Sequence, residues 1–97
     1  MFTKLKQFKE MRDKAKIIQN TLAEEKVEAS AAWGKIKMVM NGNQKVLSVN
    51  VDPELLTNKE KMESAVKDVT NEAIEKVQKV MAAAIKKDKN FNFPGLS

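Results

Sequence analysis

Along residues 3–25 the apolar positions Leu5, Phe8, Met11, Ala15, Ile18 and Leu22 recur at steps of three and four. That spacing gathers them on one face of an amphipathic helix. No Gly or Pro interrupts the run, and Lys6, Lys9, Arg12 and Lys16 fall on roughly the opposite face. At about 1.5 Å per residue the helix is some 35 Å long. The period then shortens to two. Val27, Ala29 and Ala31 alternate with polar neighbours, as do Ile36, Met38 and Met40, and then Val49 and Val51. Three antiparallel strands are predicted, over 26–32, 34–41 and 44–51. Asn41-Gly42 predicts a tight hairpin with positive φ between the last two, and Gly34 predicts the turn between the first two.

Asp52-Pro53-Glu54-Leu55-Leu56 ends the sheet. Pro53 lacks the N–H a ladder needs but suits the first turn of a short helix, with Asp52 as its cap. Thr57 and Glu60 have the spacing of a capping box. It predicts a long helix over 58–88, whose apolar stripe is Met62, Val66, Val69, Ala73, Val77, Val80 and Ala84. This helix is about 45 Å long. Residues 90–97, which include Phe91, Phe93 and Pro94-Gly95, are expected to be a flexible tail. The fold class is therefore α+β: helix, three-stranded meander, short helical turn, long helix, as one domain over 1–89. Strands of about 20–25 Å are too short for either helix, so the far ends of the helices must protrude and expose apolar positions. A second copy of the chain is the simplest cover.

Charge changes the picture. Residues 1–16 carry six basic groups against Glu10 and Asp13, a net +4; residues 17–75 are net −3; residues 76–89 are again net +4. Both basic blocks lie at the outer ends of the predicted helices. If the helices pack antiparallel, the blocks merge into one basic end, the electrostatic footprint of a nucleic-acid binder. Lys6, Lys9, Arg12 and Lys16 on the first helix are the candidate DNA contacts, with Lys79, Lys86, Lys87 and Lys89 on the second. Lys4 and Lys14 fall nearer the apolar face. Two plainer roles compete: a stripe of lysines also solvates a helix face, and Lys86, Lys87 and Lys89 also complement a helix dipole. Charge alone does not separate RNA from DNA as the partner.

The chain of 97 residues contains no Cys and no His, which removes disulfides, thiolate sites, the usual general base and the commonest metal ligand. No carboxylate pair, phosphate-cradling Gly-rich loop or Ser-centred nucleophile motif is present, so neither an enzyme nor a cofactor is expected. No run is apolar enough for a bilayer, and a cytoplasmic location is expected. Met38, Met40, Met62 and Met81 are read as core filling. Trp33 is expected to bury against its own sheet or a partner subunit.

Leu22-Ala23, Val27-Glu28, the run Gly34-Lys35-Ile36-Lys37-Met38-Val39-Met40-Asn41-Gly42, Val46, Val49 and Val51-Asp52-Pro53-Glu54-Leu55-Leu56 together resemble the YbaB/EbfC family of nucleoid-associated DNA-binding proteins. Asn71-Glu72-Ala73 and Pro94-Gly95-Leu96 extend the resemblance over essentially the whole chain. It implies a tweezer-like homodimer, with paired sheets at its base and helical arms that hold double-stranded DNA in the nucleoid. A protein-interaction scaffold using the same arms is the alternative. One segment departs from the family. Ala29-Ser30-Ala31-Ala32-Trp33-Gly34 stands where the family is usually glycine-rich, so side chains occupy a turn that is otherwise bare backbone.

Overall fold

The computed structural model describes the backbone of residues 2–87 and the side chains of residues 7–87. The elements follow the predicted order. Helix α1 is Phe2–Glu24, strands β1, β2 and β3 are Lys26–Ala31, Ile36–Asn41 and Val46–Val51, a 3-10 turn is Pro53–Thr57, and helix α2 is Lys59–Lys87. The sheet is antiparallel in the order β1-β2-β3. Lys89 and the tail 90–97 lie outside the described residues.

The core is a single layer between α2 and the first two strands. Ala29 of β1 and Ile36, Met38 and Met40 of β2 meet Ala65, Val69, Ala73 and Val77 of α2, with Leu55 closing one end. The buried stripe runs through Ala65 rather than the predicted Val66, which is 43% exposed. Met62 and Met81 pack at the edges of this core, so the methionines fill it as expected.

Of the two helices, α2 alone covers the sheet. Among the described residues of the α1 stripe only Leu22 is buried; Phe8 is 70% and Met11 48% exposed. Nor does α1 pack along α2. The radius of gyration is 18.1 Å and the long axis 62 Å, against about 12–13 Å for the radius of a compact chain of this size. The arm stands away from the body and leaves its apolar face uncovered, as β3 leaves Val46 and Val49.

The root of α1 is fixed by the β2–β3 hairpin. The Gly42 N–H donates to the carbonyls of Leu22 (2.9 Å) and Glu25 (3.0 Å), and the Asn43 amide donates to the Gln19 carbonyl at 2.9 Å. The Leu22 carbonyl also accepts from the Glu25 N–H at 3.1 Å, so the helix end and the hairpin share one acceptor. Buried Asn41 organises the turn, its side-chain oxygen accepting from the N–H groups of Asn43 and Lys45. The expected positive φ at Asn41-Gly42 is not found; Gln44 adopts it instead, at 62°. Gly42 is needed for closeness, since a Cβ there would sit 2.5 Å from the Leu22 oxygen.

Two further local expectations change. Thr57 and Glu60 do not form a capping box. Asn58 caps α2, accepting from the Lys61 N–H at 3.0 Å, while the Thr57 hydroxyl donates to the Glu54 carbonyl. Asp52 does cap the 3-10 turn, accepting from the Glu54 N–H. The β1–β2 turn contains Ala32, Trp33 and Gly34 in succession at φ 52°, 59° and 83°. For residues with a Cβ the left-handed region costs about 1–2 kcal/mol each, so Ala32 and Trp33 hold this turn under strain. Trp33 is fully exposed, not buried against its own sheet.

Replacing Gly42 by Ala forces the hairpin away from the end of α1. The expected loss is about 1–3 kcal/mol, measured as a lower midpoint in urea unfolding.

Candidate nucleic-acid interface

The same end of the sheet launches both basic segments. Along α2 the Glu72 carboxylate accepts from the Ser30 N–H at 3.3 Å, and the Lys76 ammonium donates to the Glu28 carbonyl at 2.8 Å. The helix therefore runs antiparallel to β1, and its last turns pass beyond the start of that strand. This is the hairpin end, where α1 is rooted. The helices do not merge their charge by packing side by side, as conditionally expected; they leave one end of the body as separate arms.

On α1, Lys9, Arg12 and Lys16 lie at steps of three and four, and each is exposed. They join no ion pair among the described residues. Arg12 and Lys16 flank a shallow groove with Ala15 and Gln19. Lys14 is exposed as well. Lys6 lies within the helix, with its side chain outside the described residues. On α2, Lys79, Lys86 and Lys87 are exposed, the last two in the final turn, where they also complement the helix dipole.

Other cations are engaged elsewhere. Lys35 sits 2.6 Å from Glu54. The hydrogen bond and charge of Glu54 raise its pKa above the ordinary lysine value, partial burial opposing and Asp52 adding a little. Lys76 is tied to Glu72 at 3.4 Å as well as to Glu28. That pair performs a service that sequence spacing does not reveal: it occupies two of the outward backbone groups of edge strand β1, the Ser30 N–H and the Glu28 carbonyl. Edge β3 has no such cover among the described residues. Val46, Leu47 and Val49 are about half exposed there, Val46 and Val49 lying on the α2 side of the sheet beside Met40 and Met38. No described helix is long and apolar enough to cross a membrane.

The arrangement has known relatives. The family model described as the YbaB/EbfC DNA-binding family matches residues 1–88. A nucleoid-associated protein of Syntrophobacter fumaroxidans is 35% identical, covering 98% of this chain and 89% of its own length. The nucleoid-associated protein TTE0040 of Caldanaerobacter subterraneus subsp. tengcongensis is 30% identical, covering 95% and 86%. The crystal structure of the uncharacterized protein HP0035 from Helicobacter pylori superposes with a TM-score of 0.67 at 16% identity, over 79% of this chain and 92% of that one, a likeness of fold. With the helix–meander–helix architecture and the basic arms, these matches place the chain in the YbaB/EbfC DNA-binding family of nucleoid-associated proteins.

Proposed function

We propose that the chain acts as a homodimer that holds double-stranded DNA between its basic arms, mainly by phosphate contacts and with weak sequence preference. The observation that carries this reading is the exposed row Lys9, Arg12 and Lys16 on a projecting helix, free of ion pairs among the described residues. Lys79, Lys86 and Lys87 leave the same end of the body, and Lys6 and Lys89 extend the two rows in sequence. Cations on separate arms can reach phosphates on either side of a duplex. Each neutralised phosphate releases counterions, so affinity falls steeply with salt. A chain with Arg12 as its single arginine has little means of bidentate guanine recognition. Backbone contacts then position the protein without reading sequence.

The dimer is supported by what the protomer leaves uncovered. Val46, Leu47 and Val49 on β3, and Phe8, Met11 and Ile17 on α1, are large apolar side chains at 45–70% exposure. The β1 edge is partly covered by Glu72 and Lys76, so β3 is the side on which a second copy finds both apolar surface and the more open backbone.

Two measurements test this reading. In fluorescence anisotropy with three unrelated duplexes, binding is expected to be similar for all and to weaken steeply with salt. Changing Lys9, Arg12 and Lys16 to Ala should weaken all three alike and flatten the salt slope by ~0.9 for each phosphate that is no longer neutralised. Unchanged affinity with the dimer intact would remove α1 from the interface, and binding of a protein that survives high salt would favour the scaffold. An RNA duplex of the same sequence, run in parallel, separates the nucleic acids. In sedimentation, Val49→Asp is expected to shift the protein to monomers and to cost DNA affinity, because the arms then act singly.

A further inference from the structure

The strained turn at Ala32 and Trp33 has no explanation in DNA binding. It sits at the end of the sheet opposite the arms, where Lys35, Lys59, Lys61 and Lys67 stand beside Asp52, Glu54, Glu60, Glu63 and Asp68. Such a surface, with more acidic than basic groups, does not attract phosphate. Glycine would adopt φ 59° at position 33 without cost, yet a tryptophan stands there, 101% exposed. Beside the indole is a cleft of about 270 Å³ between the turn and the start of α2. Ala32, Leu55 and Ala65 line its base, and Lys61, Ser64 and Asp68 lie along α2. Neither Lys61 nor Asp68 joins an ion pair among the described residues.

We propose that this end is a self-association surface, in which Trp33 of each of two copies enters the cleft of the other. A two-fold contact must be complementary to itself, and this patch meets that demand twice. It carries a projecting aromatic and a hollow side by side. It also carries Lys61 and Asp68, which join no ion pair among the described residues and lie seven residues and about 10 Å apart on the same helix face. Their midpoint falls beside Ser64, which is small and exposed. A two-fold axis at that midpoint brings Lys61 of each copy to Asp68 of the other. Burying Trp33 supplies a large apolar area at the centre of the contact, where aromatic residues contribute most to association. The contact differs from the β3 pairing proposed above and does not depend on DNA. A chain with both contacts joins dimers end to end, with the arms directed away from the junction, and so connects separate duplexes.

Trp33 is the single tryptophan of the chain, so its emission reports the contact directly. With rising protein concentration the emission is expected to move to the blue while sedimentation shows assemblies larger than the dimer. Trp33→Gly abolishes them and melts no lower than the parent, because the side chain holds nothing in its own protomer. Lys61→Asp and Asp68→Lys each raise the concentration for half-assembly by about tenfold or more, and combining them restores it. In the Val49→Asp chain, which lacks sheet pairing, assembly stops at two copies and Trp33→Gly reduces these to one. That result separates this contact from the dimer above. Emission unchanged at millimolar chain with no species beyond the dimer would overturn the proposal. So would a blue shift that appears only when duplex DNA is added. Loss of assembly in Trp33→Gly without rescue by the charge exchange would overturn the reciprocal geometry.

Discussion

A helix is about 10 Å across with its side chains, and neighbouring strands lie about 4.8 Å apart, so one helix covers two strands and not three. Here α2 lies over β1 and β2, and the rest of the architecture follows from that limit. Strand β3 keeps its apolar side chains in water. Helix α1 stands clear of the sheet, with Phe8 and Met11 exposed. The core remains a thin layer of small and flexible residues, chiefly Ala, Val and Met. A protomer built this way has settled its own fold but not its exposed surface, and for that reason association belongs to its physics.

The two edges of the sheet are treated differently. On β1, side chains of α2 take the places that a neighbouring strand would take: a carboxylate accepts from the Ser30 N–H and an ammonium donates to the Glu28 carbonyl. The ion pair between Glu72 and Lys76 is partly exposed and contributes little by itself. Its importance is positional, because each group also answers a backbone group that would otherwise invite pairing. One partly covered edge and one open edge on a small sheet leave β3 the easier of the two to extend.

Much of this was legible in the sequence. Periods of three to four and of two located every helix and strand within about two residues, and Asp52-Pro53 marked the end of the sheet. The charge blocks identified the arms. What the sequence did not disclose was long-range. The stripe Leu5, Phe8, Met11 has the spacing of a buried face, and nothing local distinguishes a face covered by its own sheet from one left bare. Asn58 outcompeted Thr57 as the cap of α2 because the short turn after Pro53 ends one residue later than the capping-box spacing requires, which leaves the Thr57 hydroxyl to the Glu54 carbonyl. Gly42 resembled a turn glycine and is in fact a contact glycine, visible only once Leu22 lies against it. Among the candidate contacts, Lys9, Arg12, Lys16, Lys79, Lys86 and Lys87 are exposed as charge patterning suggested, whereas the tethering of Lys76 to a backbone carbonyl forty-eight residues away has no local signature.

The root of α1 is held through hydrogen bonds whose acceptors are all main-chain carbonyls: those of Gln19, Leu22 and Glu25. Attachment of this kind makes little demand on the identity of the residues farther along the arm. The direction of the arm and the chemistry of its surface are therefore separable. Substitutions from residue 7 to residue 17, all of them exposed, can add, remove or respace cations while the geometry of the grip stays fixed. If the arms hold DNA as proposed, a lineage carrying this scaffold can retune that hold, to a different salt, temperature or degree of compaction, without renegotiating its fold.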